Sequence, residues 1–283
     1  MRIEKYEDKC SECMLCVRDC VMGVWHAVDG KSKVVDIDLC NRCSHCIAVC
    51  PCDAIRHDGL KKEEIVAVNR KNLIPDVYRD IIISRRSTRQ FKKEPVPREI
   101  IERILDLARY APTASNNQDV GYIVITDKHL IEETAASIFD LGSRLYNKTK
   151  KGIGRLLANL TGLANNRYFK VMSYVQEQNA KTGRDYILHD APVLILIHAP
   201  KKARFVCDNC NIAATTIINY AHALGLGTCL IGFMVITLRI GSKMRKKLGV
   251  PQDRRVYASL VMGYPAYRFA NTVSRKMPEV QWL

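Results

Sequence analysis

Two runs of cysteine carry the most specific chemistry in this chain: Cys10-x2-Cys13-x2-Cys16-x3-Cys20, and the same spacing again at Cys40-x2-Cys43-x2-Cys46-x3-Cys50, followed by Pro51. Thiolates are soft ligands, and three on one tight loop hold three corners of an iron–sulfur cubane, the fourth coming from the opposite run. The spacing predicts one [4Fe–4S] cluster on Cys10, Cys13, Cys16 and Cys50, and a second on Cys40, Cys43, Cys46 and Cys20. Paired C-x2-C units also make zinc ribbons. Tetrahedral zinc, however, takes its ligands as two pairs, which explains neither three thiols in a row nor the duplication. Nine of the twelve cysteines lie between Cys10 and Cys52. No signal-peptide pattern precedes Arg2, Glu4 and Lys5, so the expected compartment is cytoplasmic, where dense cysteine argues for metal rather than disulfides. Cys52 has no place in the repeat and is expected to be a small buried residue. His45 is expected to be a solvent-facing or hydrogen-bonding neighbour, not a ligand.

Arg85-Arg86-Ser87-Thr88-Arg89 carries a second chemistry. Guanidinium groups never lose their charge and offer paired donors, so three of them with a hydroxyl can clamp a phosphate and the edge of a heterocycle. Taken alone, the motif more commonly marks an exposed basic cluster at a helix end. A Walker phosphate loop is absent, as is G-x-G-x-x-G; Gly225-x-Gly227 lacks the third glycine and follows a helix. Cys207-x2-Cys210 sits at the start of an apolar helix rather than after a strand, which favours two core thiols over a thioredoxin-type pair. Cys229 has no role assigned by its spacing.

The elements that must position these groups follow from length, charge and periodicity. The 283 residues suggest two domains, and 47% hydrophobic against 26% charged residues excludes a disordered chain. Net charge is +15, unevenly spread: residues 1–60 hold 8 Lys+Arg against 10 Asp+Glu, and the remainder 36 against 19. The division expected is a cysteine domain at 1–60, a linker at 61–76 and a second domain at 77–283. Val96-Pro97 opens a helix whose apolar face is Ile100, Ile101, Ile104, Leu105 and Ala108, stopped by Ala111-Pro112. Residues 120–126, 193–198 and 256–263 read as strands. Residues 210–224 read as a buried helix capped by Asp208 and ended by Gly225. The uncharged run at 209–238 is long enough for a membrane span, but its Asn211, Thr215, Thr216, Asn219 and His222 favour a buried helix and glycine loop. No membrane association is expected.

The first segment resembles bacterial ferredoxins with two [4Fe–4S] clusters, down to Gly30-Lys31 and Cys50-Pro51-x-x-Ala54-Ile55; Val21 stands where proline often follows the first run. Arg85-Arg86-Ser87-x-Arg89-x-Phe91, then Pro95-Val96-Pro97, then Ala108-Arg109-x-Ala111-Pro112-Thr113-Ala114-Ser115-Asn116-x-Gln118 and Gly225-Leu226-Gly227-Thr228 follow the order and approximate spacing of the FMN-dependent nitroreductase family. Asp119 departs from it, since proline often follows the glutamine. The fold class implied is α+β, a two-cluster ferredoxin-like domain ahead of a nitroreductase-like domain. The resemblance implies that Arg85, Arg86, Ser87 and Arg89 bind FMN, and that Pro112, Thr113, Ala114 and Asn116 approach it from the other subunit of a homodimer. Leu230, Ile231 and Gly232 correspond to the segment along the flavin ring, and Arg275 or Lys276 to a basic position reaching the phosphate. The C-terminal residues 264–283, with Trp282, would embrace the partner.

Together these readings imply an oxidoreductase that carries electrons from two clusters to FMN and on to a nitro compound, quinone or similar conjugated small molecule. The donor is of low potential, a ferredoxin or NAD(P)H, and no residue is named as general acid. Residues 142–187 are expected to cover the substrate, with Lys148, Lys150, Lys151, Arg155, Arg167, Lys170 and Arg184 making the cover basic and Tyr146, Tyr168, Phe169 and Tyr174 available to stack. Competing readings are reductive dehalogenation, flavin reduction, or a non-enzymatic iron–sulfur redox sensor or nucleic-acid-binding protein using the basic surface. Nucleic acid is not the expected partner.

Overall fold

A computed structural model of the chain describes residues 1–150, 152–160 and 167–283. The chain forms two compact units, Met1–Ile74 together with Thr113–Asn117, and Pro75–Pro112 together with Gln118–Leu283.

In the first unit, strand β1 (Ile3–Lys5) and helix α1 (Leu15–Asp19) precede a hairpin of β2 (Trp25–Val28) and β3 (Lys31–Val34). Asp29 and Gly30 turn that hairpin, both in the left-handed region at φ 52° and 74°, as a two-residue loop matched to strand twist requires. Helix α2 (His45–Ala48) follows, and β4 (Ile55–His57) returns to pair antiparallel with β1, Ile3 opposite His57. The apolar core is five buried side chains, Cys16, Val24, Trp25, Ile47 and Ile55, with Cys20, Cys40, Cys46 and Cys50 packed around them. So small a core leaves such a unit short of stabilisation without a cross-link or metal. Two short 3-10 turns, Lys62–Glu64 and Arg70–Asn72, occupy the segment expected as a linker.

The second unit begins on α3 (Pro75–Ser84) and α4 (Arg98–Ala108). Its sheet has four strands, β5 (Gly121–Ile125), β6 (Val193–Pro200), β7 (Gly227–Leu230) and β8 (Arg254–Gly263), in the order β5-β6-β8-β7 and antiparallel throughout. Both faces are covered. Leu194 and Leu196 of β6 point into one core with Ile131 and Ile138 of α5 (Lys128–Lys148), while Val193, Ile195 and Ile197 point into the other with Ile101 and Ile104 of α4. The period of two along the strand explains the alternation, and burial on both faces explains why β6 reads as an unbroken apolar run. A bulge between Ile197 and His198 shifts the register with β8, so that Val256 and Val261 share a face although five positions apart.

Helices α6 (Gly152–Leu160) and α7 (Arg167–Thr182) follow α5 in the chain. Helix α8 (Val206–Ala223) starts four residues before the sequence suggests. Asp208 is not its cap: left-handed Phe205 occupies that position at φ 56°, and Asp208 lies inside the first turn, where its charge still favours the helix N-terminus. At the other end Gly225, at φ 81°, closes the helix; its N–H bonds to the His222 carbonyl at 3.0 Å and that of Leu226 to Ala221 at 2.9 Å. Helices α9 (Gly232–Ile240) and α10 (Ser242–Lys247) complete the unit. Among the described residues, no helix is long and apolar enough to cross a membrane.

Candidate functional site

Each unit carries one candidate site. In the first, the sequence repeat is repeated in the backbone. Glu12 and Met14 flank Cys13 at φ 51° and 55°, and the matching residues Arg42 and Ser44 flank Cys43 at φ 56° and 65°. Left-handed backbone at residues other than glycine is costly and persists where surrounding structure or function demands it. These turns curl both loops before α1 and α2.

Cys10, Cys13, Cys16 and Cys50 line one cavity, with Lys5, Ser11, Ser32 and Cys52 also on its wall. Cys52 is half-buried rather than buried, its thiol 3.5 Å from the Ser11 hydroxyl. Lys5 is held by Glu12 at 2.6 Å and Glu7 at 3.1 Å. Lys5, with the Ser32 N–H second, holds the Glu12 carboxyl down to about 2. Among the other four cysteines, burial pushes the Cys46 thiol up to about 11, Cys40 and Cys43 being close enough to add to the effect. His45 pairs with Asp19 at 3.0 Å and is mostly exposed. Among the described residues no three His, Cys, Asp or Glu side chains gather on a single point suited to one metal ion. Asn116 belongs to this unit, and its side-chain amide donates to the carbonyls of Asn41 at 3.1 Å and Arg42 at 2.9 Å.

In the second unit an open cavity of about 510 Å3 is lined by Arg86, Ser87, Arg89, Gln90, Arg184, Tyr186, His189, Tyr267, Phe269 and Arg275. Residues 87–92 reach it because they are threaded between β7 and the chain after β8. Ser87 bridges to Thr228, the Thr88 N–H donates to the Thr228 carbonyl at 2.9 Å, and Phe91 bridges to Pro265. Gly227 permits that approach: a Cβ there would lie 2.4 Å from Thr88 Oγ1. Four of the lining residues are arginines and, among the described residues, none is a carboxylate.

Arg86 Nη1 donates to the Arg85 carbonyl at 2.6 Å, while its Nε and Nη2 are buried with no hydrogen-bond partner. Burial, then the charges of Arg86 and Arg275, pull Arg85 below the usual guanidinium range, so the three cations converge. Buried donors of like charge without an anion are unfavourable. An oxyanion seated there would satisfy them.

Arg275 lies on the cavity wall, whereas Lys276 is paired with Glu279 at 2.9 Å. Pro112, Leu230, Ile231 and Gly232 are not on that wall; Thr113, Ala114 and Asn116 lie in the first unit. The aromatic Tyr186, Tyr267 and Phe269 and the imidazole of His189 are additions that periodicity did not mark. Asp185 builds the loop of Tyr186 and His189, accepting from the N–H groups of Ile187 at 2.7 Å and Leu188 at 3.0 Å. Burial pushes His189 down to about 4; Asp185 opposes the shift, and Arg89 and Arg184 reinforce it. Arg184 donates to the Arg89 carbonyl and lies over the Tyr186 ring at 5.2 Å. Of the expected substrate cover, Lys151 and the side chains of Arg167, Tyr168, Phe169 and Lys170 lie outside the described residues.

An antiparallel sheet clad by helices on both faces, with an arginine-lined cavity beside its last strands, defines an α+β unit with a cationic site. Residues 82–264 match the Nitroreductase family, and the chain belongs to it. It is 24% identical over 203 residues to the chloronitrobenzene nitroreductase of Comamonas testosteroni, covering 65% of this chain and 85% of that protein. Iodotyrosine deiodinase 1 of Rattus norvegicus is 25% identical over 198 residues, covering 67% of this chain and 62% of the deiodinase. A nitroreductase from Desulfitobacterium hafniense, solved with bound FMN, superposes with a TM-score of 0.55 at 22% identity, covering 72% of this chain and 98% of that one.

Proposed function

We propose that this chain is an FMN-dependent oxidoreductase that draws electrons through two [4Fe–4S] clusters and delivers them to a nitroaromatic, quinone or similar conjugated acceptor. The observation that carries the flavin part is Arg86, whose buried Nε and Nη2 have no partner in a cavity lined by arginine and serine without a carboxylate. A flavin phosphate supplies what those donors lack, and Arg85, Arg86, Ser87 and Arg275 would hold it by charge-assisted hydrogen bonds. Arg89 would face the flavin ring, and Tyr186, Tyr267 and Phe269 would shield the site from water. FMN takes up and releases one or two electrons, which lets single electrons be paired for the acceptor.

The cluster part is supported by the repeated left-handed loops, by the cavity that Cys10, Cys13, Cys16 and Cys50 share, and by a core too small to hold the first unit alone. Cys20, Cys40, Cys43 and Cys46 would bind the second cluster. The reading places a ferredoxin-like domain at 1–60, a linker at 61–76 and the flavin domain at 77–283. It also makes the protein a homodimer, in which Pro112, Thr113, Ala114 and Asn116 of one copy and Leu230, Ile231 and Gly232 of the other meet the same flavin. The extended residues after β8 support this, since Met277, Val280 and Trp282 stand exposed.

A second reading rests on the rat deiodinase: the same site would remove halide reductively from an aromatic ring. Oxygen-free purification followed by iron, sulfide and flavin analysis tests the cofactors together. Stoichiometric flavin with iron and sulfide, and bleaching of the flavin band by a low-potential one-electron donor, are expected. Turnover with nitrobenzene against iodophenol then separates the two acceptors. Colourless protein overturns the proposal.

A further inference from the structure

The two cysteine sets differ in what surrounds their sulfurs. His57 and Trp25 are both only 3% exposed; His57 stands against Cys40 and Trp25 against Cys46. His57 Nδ1 accepts the Gly59 N–H at 2.9 Å, which leaves the ring proton on Nε2. That nitrogen is 3.7 Å from Cys40 Sγ, and the Arg42 N–H reaches the same sulfur at 3.4 Å. The indole N–H of Trp25 is buried with no hydrogen-bond partner besides the Cys46 sulfur it stands against. An indole nitrogen is a donor only, and burying it unpaired is unfavourable unless an acceptor arrives.

The other set meets smaller donors. Cys50 accepts from the Ala54 N–H at 3.4 Å. The buried Ser32 hydroxyl stands at Cys16 and also 3.2 Å from Glu12, and its N–H donates to that carboxylate at 2.9 Å. Lys5, the cation beside Cys10, is itself paired with Glu7 and Glu12.

We propose that Trp25 and His57 are paired N–H donors to the thiolates of Cys46 and Cys40, and that they make the Cys20, Cys40, Cys43 and Cys46 cluster the more easily reduced of the two. The inference rests on the cluster reading above. Reduction adds one electron from an external low-potential donor, with no bond made or broken. The added negative charge spreads onto the sulfurs, so donors aimed at those sulfurs stabilise the reduced state more than the oxidised one. Hydrogen bonding to sulfur is one of the levers by which protein sets cluster potential. Trp25 and His57 are positioning residues that touch ligands rather than acceptor.

The test is a redox titration of the full, anaerobically purified chain followed by electron paramagnetic resonance, with dithionite as reductant. Wild-type protein is expected to show two resolved one-electron steps. Trp25→Phe, which keeps the ring and removes the donor, is expected to retain its iron and sulfide and to lower the upper step alone. The expected shift is about tenfold in one-electron partition, about 59 mV. Full iron and sulfide with both steps unmoved, or with the lower step moved, overturns this inference and leaves the cluster reading standing. Wild-type protein without iron and sulfide overturns both. Should Trp25→Phe fail to fold, wild-type protein labelled with 15N-tryptophan, with Trp282→Phe as control, is expected to show a 15N coupling to the half-reduced cluster. Absence of that coupling also overturns the assignment.

Discussion

The two candidate sites are assembled in opposite ways. In the first unit, three of each four thiols come from one short loop, and left-handed residues at matching positions of the repeat shape both loops. In the second, the cavity draws Arg86 and Arg89 from one end of the unit's chain, Arg184, Tyr186 and His189 from before β6, and Arg275 from beyond β8. A site written in local spacing stands on a five-residue core; one gathered from distant segments needs a sheet buried on both faces. The contrast implies that damage to either site stays in its own unit.

The largest expected effect is Cys46→Ser. Iron is expected to fall from about eight to about four per chain, with flavin content unchanged; joint loss of iron and flavin would break the separation. Next is Arg86→Ala, which removes two buried donors from the proposed phosphate site. Charge-assisted hydrogen bonds contribute about 1.5–3 kcal/mol, so fluorescence titration of flavin-free protein should show roughly tenfold to hundredfold weaker FMN binding. Iron content should not change, and unaltered FMN affinity would remove Arg86 from the site.

A smaller effect probes how tightly distant segments must fit. In Gly227→Ala the new methyl group would meet Thr88 Oγ1 at 2.4 Å and Thr88 Cβ at 2.6 Å. Overpacking of this kind costs about 1–3 kcal/mol, a drop of several degrees in thermal midpoint. Adding Thr88→Ala, which removes Oγ1 and Cγ2, should recover part of it, and a Gly227→Ala midpoint equal to wild type would show that the strand and the arginine segment can part at no cost. The smallest effect is His189, whose folded pKa of about 4 lies below its unfolded value of 6.5. The unfolded chain therefore binds the extra proton first, so this contribution to stability is full above pH 6.5 and is lost as pH falls towards 4. His189→Gln is expected to flatten thermal stability over that window in flavin-free protein; a slope identical to wild type would contradict it.

Much of the second unit could be read along the chain. The apolar run of β6, the face of α4 and the glycine stop of α8 stand near where periodicity puts them. Asp208 as a cap did not hold, because Phe205 takes a left-handed conformation that no propensity favours. The short β7 was not legible at all: Gly227-Thr228-Cys229-Leu230 has little strand signal, and it becomes a strand by pairing with β8. Likewise Asp185 looks like one more surface charge until its carboxylate gathers the N–H groups of residues 187 and 188.

Covalent connectivity confines residues two or three apart to a few ångströms, so chain order alone states that the cysteines are grouped and that Arg85, Arg86, Ser87 and Arg89 form one patch. It cannot state which remote groups arrive beside them. That Arg275 rather than Lys276 faces the arginines, that His189 joins them, and that His57 stands at Cys40 and Trp25 at Cys46 depend on strand register, bulge position and turn handedness. Those are settled only when the whole sheet and both cores close, because each strand's partner is chosen by apolar surface elsewhere in the chain.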